Sequence, residues 1–444
     1  MHDYVDGWDP LDDPSDPPPP AAEQAKYWKQ CQHQSWFFLP WHRMYIAFLE
    51  QTVLSCVQRL GGPSDWALPY WDYSGLDPKS LKLPAAFFAT NLPDGSPNPL
   101  RVAARARGNA GEDVGTNNTV ALGCLKISPF EGSGISGAFG GPVGLNHSPT
   151  RTRTAGALEV APHGSMHIAV GGWMARFNTA ALDPIFWLHH CNIDRLWEVW
   201  LRRNKTFINP TKSDWLTRES FVFHDAAGHV VVIKAAQVLD TKAAPLFYRY
   251  EDTSDPLAIP AAPAILPQLT KKVTMLDAIP EMIGASSGPI ALSGKTEVAG
   301  FPLTAPQGPA ADPALARADA PRPRMFLMIE NITGSGNLSS YSVYVNVPNG
   351  EDPVAHDELF AGVMAMFGVV EASSDDSDHS DGSGMTYTFD VTDLVATLQA
   401  ADAWNSERVQ LTFVPEFTFP ESDAQNDWTE GSAQIGRVSW HIAA

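Results

Sequence analysis

His163 and His167 stand four residues apart, so on one helix both imidazoles leave the same face and can chelate a single metal ion. His33 and His42 are nine apart, roughly two and a half helical turns, which would put them on opposite faces of a continuous helix. To share a metal they need a break between them, and the intervening SWFFLPW with Pro40 can supply one. His189 and His190 are adjacent and diverge by about 100° on a helix, so one is expected to face a metal while the other packs or orients. Sets built from imidazoles suit copper, zinc or iron. Three nitrogens per ion leave positions open for substrate and oxygen, as a catalytic centre requires. Phe37, Phe38, Trp41, Phe186 and Trp187 would wall such a centre from water.

Helices must carry these residues. Tyr45, Phe48, Leu49, Thr52, Val53 and Cys56 recur at three- and four-residue steps, predicting a helix from about Pro40 to Arg59 with Pro40 in its first turn. Phe186, His190, Ile193, Trp197 and Trp200 predict a second from about Asp183 to Arg202. Residues 74–155 are rich in Gly, Pro, Asn and Ser and read as long loops. From Ser254 to Arg324 Ala and Pro dominate without clear periodicity, which reads as a linker. Beyond it, Tyr341, Val343, Val345 and Val347 alternate with polar neighbours, as do Val409, Leu411 and Phe413, the period of half-buried strands. The acidic SSDDSDHSDGSG reads as an exposed loop.

Bulk composition narrows the function. A chain of 444 residues implies two or three domains, and 14 Trp with 21 Phe give it ample apolar surface to bury despite 37 Pro. The net charge of −20 repels phosphate backbones and anionic lipid, so no nucleic-acid partner is expected. No apolar run reaches the roughly 18 residues of a membrane span. Four scattered cysteines make no disulfide framework, and the opening MHDYVDGW shows no export signal, so a cytoplasmic protein is expected.

Four motifs carry a resemblance: HQSWFFLPWHRMY (33–45), LPYWDYS (68–74), PHGSMH (162–167) and LDPIFWLHHCNIDRLW (182–197). In this order they resemble the tyrosinase family of dinuclear copper proteins, which includes plant polyphenol oxidases, microbial tyrosinases and molluscan haemocyanins. The resemblance implies two copper ions with dioxygen as co-substrate and small phenols as substrates. Copper A would lie on His33, His42 and an upstream histidine, for which His2 is the candidate; copper B would lie on His163, His167 and His190. Cys31, two residues before His33, has the spacing at which fungal tyrosinases and haemocyanins carry a thioether, so a Cys31–His33 bond is expected. Glu159 matches a glutamate that orients a water in plant enzymes, and Phe177 the bulky residue that overhangs copper A there. Relatives with strong monophenol activity carry asparagine after the first copper B histidine, where this chain has Gly164. The resemblance therefore implies oxidation of o-diphenols to o-quinones exceeding monophenol hydroxylation, with o-aminophenols as another substrate class.

The implied architecture is α+β and multidomain: a mainly helical catalytic domain (1–255) with a four-helix bundle holding the copper pair, the linker (256–324) and a C-terminal β-sandwich-like domain (325–444). Tyr248-Arg249-Tyr250 resembles the motif that closes the catalytic domain. YSVYVN, DELFAGVMAMFGVVEA and RVQLTFVPE follow the order of the plant-type tail, which covers the copper site as a lid until removed or displaced. A haemocyanin-like oxygen carrier is the alternative function; a chain without internal repeats argues against it, as family carriers are multi-unit arrays. A zinc hydrolase would need the glutamate of HExxH, which is missing. A homo-oligomer is compatible with the sequence.

Overall fold

The computed structural model describes residues 20–74, 80–132, 137–147, 154–258, 280–305, 323–374, 383–419 and 430–443. His2 and most of the acidic SSDDSDHSDGSG segment lie outside these residues.

The first half is organised by two long helices, α2 (Phe38–Arg59) and α5 (Ile185–Arg203), after a short α1 (Ala21–Tyr27). They pack together through aromatic side chains, with Trp36, Trp41, Trp197, Trp200 and Trp215 in one buried cluster. A buried ion pair ties them: Arg43 Nε donates to Asp194 at 2.5 Å and its second arm to Glu198 at 3.0 Å, while the guanidinium lies 3.8 Å from the Trp197 ring. The hydroxyls of Tyr248 and Tyr250 donate to the other Asp194 oxygen at 2.5 and 2.6 Å, so the chain that leaves this half is knotted to α5. Between the long helices run loops with short pieces, among them α3 (Ala85–Phe88) and α4 (Ser165–Val170); α4 is entered through an irregular wide turn, Glu159–Gly164. A two-stranded hairpin, β1 (Phe221–His224) with β2 (Val230–Ile233), follows α5.

The C-terminal region holds two antiparallel sheets. One has the order β5-β10-β7-β8, from β5 (Glu297–Phe301), β7 (Tyr341–Val345), β8 (Phe360–Met364) and β10 (Val409–Pro415). The other runs β3-β11-β6-β9, from β3 (Glu281–Ala285), β6 (Arg324–Ser335), β9 (Met385–Asp390) and β11 (Ser432–Ala443), with β4 (Ile290–Leu292) also on β11. Val343, Leu411 and Phe413 of the first share a core with Ile329, Ile435 and Trp440 of the second.

Two expectations change. The stretch 256–324 is not all linker, because β3, β4 and β5 lie within it and pair with β11 and β10. Their short Gly- and Ala-containing sequences alternate too weakly to stand out between Ala/Pro-rich flanks. β7, read as half-buried, is buried at every residue. One face lies in the sheet core, and the polar face meets the helical half, where Asn118 Nδ2 donates to Ser342 Oγ at 3.0 Å and to the Tyr344 hydroxyl at 2.8 Å. Nearby, Thr119 donates to Glu416 at 2.9 Å and the Arg107 guanidinium sits 3.4 Å from the Phe417 ring.

Candidate metal centre

Two groups of buried donors meet where α2, α4 and α5 converge: Cys31, His33 and His42 in one, and His163, His167, His189 and His190 in the other, the donor atoms within each lying within 4.8 Å of one another. His33 precedes α2 on an irregular segment clamped by Asn146, whose carbonyl accepts from His33 N–H and whose amide donates to the His33 carbonyl, both at 2.9 Å. Gln34 takes a left-handed backbone, φ 46°, and its N–H donates to the Glu159 carboxylate at 2.8 and 2.9 Å. The reversal that brings His33 to His42 thus lies at 34–37, not at Pro40, which sits inside the first turn of α2. The result is a 5.5 Å separation of the two rings. Cys31 Sγ lies 3.6 Å from His33 Nδ1 and 3.5 Å from His42 Nε2.

The rings are oriented by their distal nitrogens. His42 Nδ1 lies 2.9 Å from the Phe38 carbonyl, His163 Nδ1 3.0 Å from that of Glu159 and His167 Nδ1 2.7 Å from that of Met174. An Nδ1–H held by a carbonyl leaves the Nε2 lone pair facing inward, the usual device for fixing an imidazole ligand. His167 Nε2 and His190 Nε2 are 3.4 Å apart, and His190 stacks on His42 at 4.4 Å, joining the two groups. His189, next to His190 on α5, meets the Tyr73 hydroxyl with its Nδ1 at 2.9 Å and has a donor atom within the second group.

Burial keeps these imidazoles neutral. It pushes His42 and His167 down to about 3, partly opposed by their backbone hydrogen bonds, and lowers His33, His163, His189 and His190 well below the usual histidine range, with neighbouring imidazoles adding to the effect. Neutral imidazole is the metal-binding form. The Nε2 atoms of His163 and His189 are buried and meet no protein hydrogen-bond partner. Such an atom is costly to desolvate unless a ligand satisfies it. An all-imidazole set with inward lone pairs therefore fits a copper pair.

Beside the histidines lies a cavity of about 20 Å³, room for one water, bordered by Gln34, Glu159, Gly164, Phe177, Phe367 and Tyr387. Burial raises Glu159 to about 8 against the opposing backbone donors of Gln34 and Gly156. Phe177 stacks on His33 at 4.4 Å. Phe367, from the C-terminal region, stacks on His167 at 4.2 Å and meets Phe177 edge-on at 4.5 Å. A Cβ added to Gly164 would lie 3.2 Å from the Glu159 carbonyl oxygen, 3.4 Å from Ala365 Cβ and 3.5 Å from Phe367 Cβ. Sequence reasoning did not single out Phe367 or Tyr73, although both lie in the quoted motifs.

Residues 17–144 and 139–203 match the model of the common central domain of tyrosinase, residues 209–258 that of the polyphenol oxidase middle domain, and residues 279–442 a domain of unknown function. A tyrosinase of Hahella sp. (strain CCB-MM4) is 32% identical over 438 residues, spanning 96% of this chain and 86% of its own. Aureusidin synthase of Antirrhinum majus is 30% identical over 264 residues, 54% of this chain and 44% of its own. Latent apple tyrosinase superposes with a TM-score of 0.55 at 23% identity, covering 93% of this chain and 84% of that one, a likeness of fold.

Proposed function

The chain belongs to the tyrosinase and polyphenol oxidase family, and from that premise we propose that it oxidises o-diphenols to o-quinones faster than it hydroxylates monophenols. As a member it is a copper oxidase of phenols, with two copper ions and dioxygen. We assign His33 and His42, with His2 as candidate third ligand, to one ion and His163, His167 and His190 to the other. The inward-facing, carbonyl-anchored imidazoles carry this reading. A thioether between Cys31 and His33 is consistent with the nearness of Sγ to that ring. We read the helical half as a four-helix bundle around the ions, extending to about residue 255, and the two sheets as a β-sandwich-like lid.

When bound, the copper pair would bind dioxygen and relay to it the four electrons that two o-diphenols release, their four protons completing two waters. The protein's part is to position and to exclude. Phe38, Phe177 and Phe186 surround the imidazoles with apolar surface that favours an aromatic ring over bulk water. Glu159 borders the water-sized cavity and in its carboxylate form is placed to hold a water there and take a phenolic proton, a form that burial shifts up to about pH 8 in the metal-free protein. Gly164 offers no side-chain amide to the same water, which supports the o-diphenol preference. Phe367 covers His167 where a substrate ring would approach, so the C-terminal region must shift for turnover.

An oxygen carrier would share the histidines but stay inert to phenols; the relatives named above favour the enzyme. The test combines metal analysis with rates on a catechol and its monophenol, before and after brief detergent or protease treatment. Two coppers per chain, a gain on treatment and faster catechol turnover are expected. Zinc alone, or no colour with either phenol after treatment, rejects the proposal; faster monophenol turnover rejects the stated preference.

A further inference from the structure

We infer that the surface cleft between the C-terminal end of α5 and residues 241–253 is a binding site for a small tetrahedral oxyanion of the phosphate class. None of the histidines lines this cleft, so the inference is independent of the reading of the metal centre.

The cleft holds about 210 Å³, and Arg202 reaches it from α5 while Lys242 and Arg249 reach it from the facing segment. In a chain of net charge −20, this gathering of cations runs against the prevailing field. Lys242 and Arg249 are exposed, and among the described residues neither side chain has a hydrogen-bond or carboxylate partner. Arg202 is partly engaged, donating to Glu198 at 3.3 Å and to the Thr253 hydroxyl. Thr241 supplies an independent sign. It lines the cleft, is 5% exposed, and its hydroxyl meets no partner among the described residues. A nearly buried hydroxyl of this kind is uncompensated unless an occupant of the cleft accepts its hydrogen. Water would answer the hydroxyl alone; an oxyanion answers the hydroxyl and the two unpaired cations together, through charge-assisted bonds. The carboxylates on the wall do not cancel this set. Glu198 is committed to Arg43 at 3.0 Å and to Arg202, and Glu251 is exposed to water. Tyr250, which donates to Asp194 at 2.6 Å, also lines the cleft, so a bound anion would bridge α5 to the closing segment beside the α2–α5 joint.

The test titrates full-length protein, dialysed free of phosphate, with inorganic phosphate in a calorimeter and reads the melting temperature in parallel. Saturable binding of one phosphate per chain is expected, with sulfate competing and acetate binding roughly tenfold more weakly. Glycerol phosphate runs beside the free ion: tighter binding assigns the site to a phosphate monoester, weaker binding to the free ion, and either upholds it. Lys242→Gln combined with Arg249→Gln should weaken phosphate roughly tenfold or more, and Thr241→Val several-fold, with catechol turnover unchanged. Phosphate also stabilises proteins without occupying a site, so the double variant is the control for the melting temperature. Heat that does not saturate, or a double variant that binds phosphate and gains melting temperature as the wild type does, overturns the inference.

Discussion

At the scale of single residues, the sharpest consequence concerns Glu159. Burial raises its carboxyl from 4.5 to about 8, so between those values the folded protein binds a proton that the unfolded chain has released. The Glu159 contribution to the stability of the metal-free protein should therefore fall as pH rises from about 4.5 to 8, against the opposite slope that the six buried neutral histidines give below 6.5, and Glu159→Gln should remove that contribution and make the slope more positive. Denaturant midpoints measured across this range check it; equal slopes in both proteins reject it. Gly164→Asn acts through space instead. Its added atoms crowd the Glu159 carbonyl, Ala365 and Phe367, and overpacking of this kind typically costs about 1–3 kcal/mol. Faster deuterium exchange at 365–367 is the expected signature. The spacing of the histidines was enough to suggest metal chemistry because four-residue steps on a helix fix direction. Phe367 and Tyr73 were not legible in that way: each reaches the centre from a distant segment, and no local period links either residue to its histidine partner.

Among the secondary-structure elements, the joint between α2 and α5 sets the distance between the two histidine groups, since His42 and His190 stack across it. Arg43 is fully buried there and Asp194 nearly so. Burial opposes the Arg43 charge, but Asp194 and its neighbours more than offset this and raise the guanidinium above its ordinary range. Asp194→Ala leaves that buried charge with Glu198 alone and strips the Tyr248 and Tyr250 hydroxyls of their acceptor, and should destabilise the protein by about 3–5 kcal/mol. A calorimetric scan showing less than about 1 kcal/mol of loss would contradict this. Both long helices were legible because aromatic and aliphatic residues keep the 3.6-residue period; the observed start at Phe38 differs because the helix runs past Pro40 through its first turn. The strands at Glu281–Phe301 escaped notice because long-range pairing, which no local pattern encodes, holds their weakly alternating sequences in the sheets.

For the whole molecule, the question is how the C-terminal region stays on the helical half. Arg107 is one fastening outside the metal centre, beside Asn118 and Thr119: its guanidinium is held by the carbonyls of Ile168 and Ala169, at 3.0 and 2.6 Å, and packs on Phe417. A desolvated cation over a ring is worth about 2 kcal/mol, so Phe417→Ala should raise catechol turnover of the untreated protein by up to roughly thirtyfold and shrink the gain from detergent. Unchanged latency in that variant would place the fastening elsewhere. The order of strands adds a dimension of time. β11 follows every other strand of its sheet in the chain, yet it pairs with β3, β4 and β6 at once. During synthesis, then, the histidine-bearing half emerges before these strands, and the sheet that β11 joins cannot be completed until β11 leaves the ribosome. Each newborn molecule passes through an interval in which copper has an uncovered route to its ligands, and completing the sheet ends that interval.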